Sequence, residues 1–141
     1  MTTVEQILME KGPATIVADP ATTVFDAARL MTEDNVGAIV VREAGTVVGI
    51  FTERDLMRRV VAVDKDPKTL VMADVMSSPV MSCRLEDDVR HCSKLLSDSR
   101  IRHLAVIEDG VLVGLISSRD IQTAEIREDE QRIDQLLHSG Q

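Results

Sequence analysis

Aromatic side chains are nearly missing from this chain: its 141 residues hold no Trp, no Tyr and two Phe, Phe25 and Phe51. Stacking of a flat ligand on aromatic rings therefore falls to those two residues or to nothing. Cysteine is as scarce. Cys83 and Cys92 lack the spacing of a zinc or dithiol redox motif. Two lone cysteines without a secretory leader pattern fit a reducing cytoplasm. His91, His103 and His138 are scattered, with no metal-ligand spacing, so no metal is expected. Long apolar runs are absent too, since stretches such as Ile39-Val40-Val41 are far too short to cross a bilayer. Positive charge is in deficit: 16 Lys and Arg face 24 Asp and Glu, for a net charge of −8. That balance speaks against nucleic acid and against an anionic membrane surface as partners. A phosphorylated ligand would need a local cluster of cations. No nucleophile–base pair stands out, so an enzyme is not expected.

What is present is a core. Hydrophobic residues make up 44% of the chain, enough to fold it without disulfide or metal staples. Val4, Ile7 and Leu8 form a helical stripe that Gly12-Pro13 ends. A short strand is predicted over 15–18, then a turn at Asp19-Pro20. Thr23 with Asp26 starts a helix that runs to about Glu33. Ala38 to Val41 and Val47 to Phe51 are β-branched runs flanking Ala44-Gly45, a hairpin pattern, and a helix follows from Thr52 to about Val63. The charged, Pro-containing stretch 65–69 reads as a linker. The pattern then restarts: a short helical face at Met72, Val75 and Met76, a strand beginning at Val80-Met81, a helix over 89–97, strands over 104–107 and 112–116, and a helix from Ser117 to about His138.

The restart is a true internal repeat. Residues 24–55 and 89–120 align without a gap at an offset of 65, with nine of 32 positions identical. The leading helices align instead at an offset of 68, Val4 on Met72. Repeats of this kind complete their cores by stacking on one another. The division expected is residues 1–64, a linker 65–69, residues 70–125, and a polar helical extension 126–141. The architecture expected is α/β, with two βαββα-type units related by pseudo-two-fold symmetry.

Chemistry concentrates where each hairpin turns into a helix, at Thr52-Glu53-Arg54-Asp55 and Ser117-Ser118-Arg119-Asp120. A helix N-terminus offers unpaired N–H groups and partial positive charge to a phosphate. The Thr or Ser hydroxyl adds a hydrogen bond, and Arg54 and Arg119 can supply charge-assisted ones. Asp55 and Asp120 repel phosphate but can accept from both hydroxyls of a ribose. Gly49 and Gly114 would let backbone approach a flat group. Together these describe a phosphoribose site. The same Thr-x-x-Asp and Ser-x-x-Asp patterns also serve as capping boxes, which only start helices.

The repeated strand ending in Gly, two hydrophobic residues and Ser/Thr-x-x-Asp, set in this element order, resembles a CBS domain pair, or Bateman module. The likeness spans about residues 4–125 and is greatest to small stand-alone bacterial CBS-pair proteins. It implies a regulatory module, not an enzyme, that binds an adenosyl ligand in clefts between the repeats. AMP, ADP, ATP and NAD are the nucleotides implied. A homodimer is implied as well, with an unidentified target enzyme or transporter. S-adenosylmethionine, or a ligand-free scaffold role, are the alternatives. Carried over by motif, Thr52, Asp55, Ser117 and Asp120 match phosphate and ribose positions. Thr15 and Val80, with Ile16 and Met81 beside them, match the strand lining the base pocket. Arg102 and His103 match a basic pair used on phosphate in the regulatory γ subunit of AMP-activated protein kinase, and the equivalent first-repeat positions are Gly37 and Ala38. The expectation is that Arg102 and His103 serve the cleft of Asp55, and that the Asp120 cleft has fewer donors besides Arg119.

Overall fold

A computed structural model describes residues 1–12 and 15–139. In chain order the elements are α1 (Val4–Lys11), β1 (Val17–Ala18), α2 (Val24–Glu33), β2 (Ala38–Glu43), β3 (Thr46–Thr52) and α3 (Glu53–Leu56), which widens into a π-helical turn over Met57–Val61. Then come α4 (Met72–Val75), β4 (Ser82–Cys83), α5 (Val89–Ser99), β5 (His103–Glu108), β6 (Val111–Ser117) and α6 (Ser118–Ser139). The strands form two three-stranded sheets, ordered β1-β2-β3 and β4-β5-β6. In each, a short parallel strand flanks a hairpin: Val17 pairs with Val40, and Ser82 with Ala105. All three strands of the second sheet begin and end 65 residues after those of the first. The fold is thus a tandem α/β repeat.

The hairpins follow from their two-residue loops. Ala44 and Gly45 take φ of 50° and 82°, and Asp109 and Gly110 take 49° and 78°. Two successive positive-φ residues twist the chain the way a two-stranded ribbon needs. Strand burial alternates toward the ends of β3, where Gly49 and Phe51 are buried between partly covered neighbours. The strand expected to begin at Val80-Met81 begins instead at Ser82. Val80 and Met81 follow a cis Ser78–Pro79 bond and lie in irregular chain.

The chain divides into two compact units. One comprises Ala14–Met81 with Gly110–Leu112; the other comprises Met1–Pro13, Ser82–Asp109 and Val113–Gln141. They are called here the first-sheet and second-sheet units. In the first-sheet unit the core is built on Val24, Ala27, Ile39, Val41, Phe51 and Met72. Its covering helix α4 is tied down by Met72 N–H to Thr22 O (2.9 Å), Ala73 N–H to Pro20 O (3.0 Å) and Val24 N–H to Leu70 O (2.9 Å). In the second-sheet unit α1 does the same job, through Val4 N–H to Asp87 O (2.8 Å), Glu5 N–H to Leu85 O (3.1 Å) and Val89 N–H to Thr2 O (3.0 Å). Each unit therefore takes its covering helix from the other sequence repeat.

In the second-sheet unit α6 lies along α5, where Arg90 pairs with Glu125, Glu128 and Asp129. Arg127 pairs with Glu10 of α1. Beyond Ala124 no residue of α6 is buried. Among the described residues no helix is long and apolar enough to cross a membrane.

Candidate functional site: two strand-to-helix corners

Thr52 caps α3, its Oγ1 accepting from the Asp55 amide (3.3 Å). Asp55 closes the box, Oδ2 accepting from the Thr52 amide at 3.0 Å and the Thr52 hydroxyl at 3.2 Å. Its other oxygen is also taken: the Ser77 hydroxyl donates to Oδ1 at 2.9 Å, and Arg59 Nε stands 3.8 Å away. Ser77 is held there by backbone, exchanging bonds of 2.8 and 3.0 Å with Ile50 of β3. Arg59 is fixed through the Val75 and Met76 carbonyls at 3.2 and 2.8 Å, so it serves as the C-terminal partner of α4. Asp55 is only 7% exposed. Both of its oxygens are satisfied inside its own unit.

The second corner starts the same way and ends differently. Asp120 N–H donates to Ser117 Oγ at 3.1 Å, and Ser117 N–H to Asp120 Oδ2 at 2.8 Å. The further partner is Lys11, the last residue of α1, whose ammonium lies 2.7 Å from the same Oδ2 and 2.9 Å from the Leu115 carbonyl. Among the described residues Oδ1 of Asp120 takes no hydrogen bond, and the side chain is 23% exposed. Burial pushes the Asp120 carboxyl up. The Lys11 hydrogen bond and charge, with the Ser117 amide and hydroxyl, outweigh it and hold the group below its ordinary value. His103 faces the same cluster. Burial lowers its pKa, Lys11 and then Arg102 lower it further, and Asp120 opposes them.

The two glycines are close-approach positions, but the approaching groups are side chains of this protein. A Cβ on Gly49 would lie 2.4 Å from Met76 Sδ, and one on Gly114 2.8 Å from Leu8. Met76 and Leu8 are equivalent under the 68-residue offset, so each covering helix plugs the strand beneath it. Phe51 is wholly buried and unavailable to a ligand. Phe25 is 39% exposed, under the Arg29 and Lys68 cations at 5.9 and 5.1 Å.

The corners also differ in local charge. Glu53 N–H bonds Gly37 O (3.1 Å), and at the equivalent place Ser118 N–H bonds Arg102 O (2.8 Å). Beside Gly37 stands the Glu53 carboxylate, 3.5 Å from where a Cβ would be. In the second-sheet unit those two positions are Arg102 and Ser118. His103 has Lys11, Asp120 and Arg102 as charged neighbours, and Asp55 lies in the first-sheet unit. Lys11 adds a cation to the Asp120 corner, as Arg59 does to the Asp55 corner. Ser77, Arg59 and Lys11 were not singled out by sequence, since they lie 22, 4 and 109 positions from the carboxylates they meet. The offset between leading helices was the one available signal that those helices pack on the sheets.

Of the remaining site residues, Thr15 and Ile16 lead into β1, and Ile16 O accepts from Val40 N–H (3.0 Å). Arg54 is partly covered, and Arg119 is exposed. Val80 and Met81 belong to the first-sheet unit, Ser117 and Asp120 to the second-sheet unit.

The CBS domain family matches this sequence twice, over residues 4–62 and 72–127. The chain belongs to the CBS domain family. As a pair of such domains it is a regulatory module. It is 32% identical over 151 residues to the mitochondrial CBS domain-containing protein CBSX3 of Arabidopsis thaliana, covering 99% of this chain and 73% of that one. The crystal structure of the CBS domain protein NE2398 superposes with a TM-score of 0.84 at 34% identity, over 89% of this chain and 98% of that one. The CBS pair of MJ0100, solved in complex with 5′-methylthioadenosine and S-adenosyl-L-methionine, shares the fold with a TM-score of 0.79 at 22% identity, over 91% of this chain and 98% of that one.

Proposed function

We propose that this CBS pair is a cytoplasmic, homodimeric sensor that binds an adenosine nucleotide of the AMP, ADP, ATP or NAD class. It passes occupancy to a target enzyme or transporter as a change of shape. The Asp120 corner is the principal site. The observation that carries this reading is the Asp120 carboxylate, which keeps one oxygen open beside Lys11, Arg102 and His103. Lys11 and Arg102 are cations there, in a chain of net charge −8, and cations are what a phosphorylated ligand requires. An open carboxylate oxygen is what a ribose hydroxyl requires. The complex of MJ0100 with adenosyl compounds makes these ligands the natural probes.

A ligand-free scaffold is the second reading. It is favoured by the Asp55 corner, where Ser77 and Arg59 occupy the carboxylate and Met76 covers Gly49. Calorimetry with AMP, ATP, NAD and S-adenosylmethionine separates the two. The sensor gives saturable heat with at least one nucleotide, abolished in Asp120→Asn. A chain without Trp or Tyr absorbs little at 280 nm, so a co-purifying nucleotide also appears as a peak near 260 nm that is lost on denaturing and filtering. No heat with any probe leaves the scaffold. Turnover of a probe overturns the regulatory reading.

A further inference from the structure

We propose that Lys11 is a latch on Asp120 that makes this corner select a phosphorylated nucleoside over its uncharged counterpart. The inference rests on the nucleotide-binding reading above and deepens it. Lys11 ends α1 with two of its three N–H donors in use, one on Asp120 Oδ2 at 2.7 Å and one on Leu115 O at 2.9 Å. Its side chain is 36% exposed, so the ammonium is held by these bonds and not by enclosure. A ribose that engages both oxygens of Asp120 must take Oδ2 from Lys11. An uncharged nucleoside offers the displaced ammonium nothing in return. A nucleoside phosphate offers it an anion, and Arg102 and His103 stand in the same cluster to hold that anion in place. The exchange of one anionic partner for another is what makes the phosphate count.

The Asp55 corner has no such device. The group bonded to its second carboxylate oxygen is the neutral Ser77 hydroxyl. Arg59 Nε stands 3.8 Å from that oxygen, but its guanidinium is tied to the Val75 and Met76 carbonyls, and the carboxylate of Glu53 stands beside Gly37. Selectivity for charge is therefore a property of the Asp120 corner, supplied by a residue from the other sequence repeat.

The test is calorimetry of AMP and adenosine on the whole protein, on Lys11→Met and on Lys11→Arg, with circular dichroism to confirm folding. Wild type is expected to prefer AMP. Lys11→Met is expected to bind AMP more weakly and adenosine more tightly, lowering the AMP-to-adenosine ratio by about tenfold or more. Lys11→Arg, which keeps the charge, is expected to retain most of the ratio. If wild type binds AMP and Lys11→Met leaves the ratio unchanged, whether by altering neither affinity or by weakening both equally, the latch is refuted while the nucleotide site stands. If wild type binds neither compound, the underlying reading fails with it.

Discussion

Two aspartates in the same motif have become different residues. Asp55 is buried with both oxygens bonded, so truncating it strands the Ser77 hydroxyl and the Thr52 amide. Asp55→Ala is expected to destabilise by about 1–3 kcal/mol, the cost of unsatisfied buried partners, and Asp120→Ala by less, read from urea unfolding midpoints. A larger loss at Asp120 would contradict this assignment. Acid should act on the second-sheet unit through two groups whose folded pKa values are depressed. With such a group stability is at its full value above the unfolded pKa, begins to fall as pH drops below it, and goes on falling until pH passes the lower folded pKa. His103, lowered by burial and by Lys11, should begin to weaken the fold below about pH 6.5. Asp120 should follow below about pH 3.9. His103→Gln should flatten the first limb of a stability-versus-pH curve and leave the second. The cysteines, unremarkable in sequence, are both buried, and the neighbouring Cys92, followed by burial, pushes the Cys83 thiol up. Thiol reagents should label them only on unfolding.

Hairpins and covering helices are the elements that shape the corners. Ala44 sits at φ 50° where its repeat equivalent is Asp109 at φ 49°. Left-handed backbone is costly for Ala and easier for Asn or Asp, so Ala44→Asn should stabilise by up to about 1 kcal/mol in thermal or urea unfolding. The glycine contacts make a sharper case. Gly49→Ala drives a methyl into Met76, and overpacking of this kind costs about 1–3 kcal/mol. Met76→Ala in the same chain should recover much of that loss, and Leu8→Ala should do the same for Gly114→Ala. Absence of rescue in these double mutants would mean that the plugs are not what the glycines accommodate. The first hairpin, with its loop at Ala44-Gly45, was legible because β-branched runs flank turn residues, and the strands of the second were legible as the restart of that pattern. Strand β4 was placed two residues early because Val80 and Met81 have strand-like side chains. Sequence propensity does not register that backbone pairing with β5 starts only at Ser82.

At the scale of the whole molecule, the compact units and the sequence repeats divide the chain differently. The fragment 1–64 carries the first sheet without α4, which covers it, and the fragment 70–125 carries the second without α1. Neither is expected to fold alone. Each should show weak, non-cooperative unfolding by circular dichroism, in contrast to the intact protein. Cooperative unfolding of 1–64 would refute the dependence. The distal part of α6 contributes little by comparison, since Ile133, Leu136 and Leu137 are all more than half exposed.

The sequence by itself determined the repeat, the hairpins, the helix starts and the family, because all of these rest on short-range pattern: side-chain period, turn residues and caps. It also placed Thr52, Asp55, Ser117 and Asp120 at the corners. Only the tertiary structure decided which aspartate stays open. That choice depends on Ser77, Arg59 and Lys11, which reach the carboxylates through the packing of α4 and α1 on sheets of the other repeat. Contacts made by packing carry no periodic signal along the chain, so two motifs that read alike end in one aspartate bonded on both oxygens and one bonded on a single oxygen among the described residues.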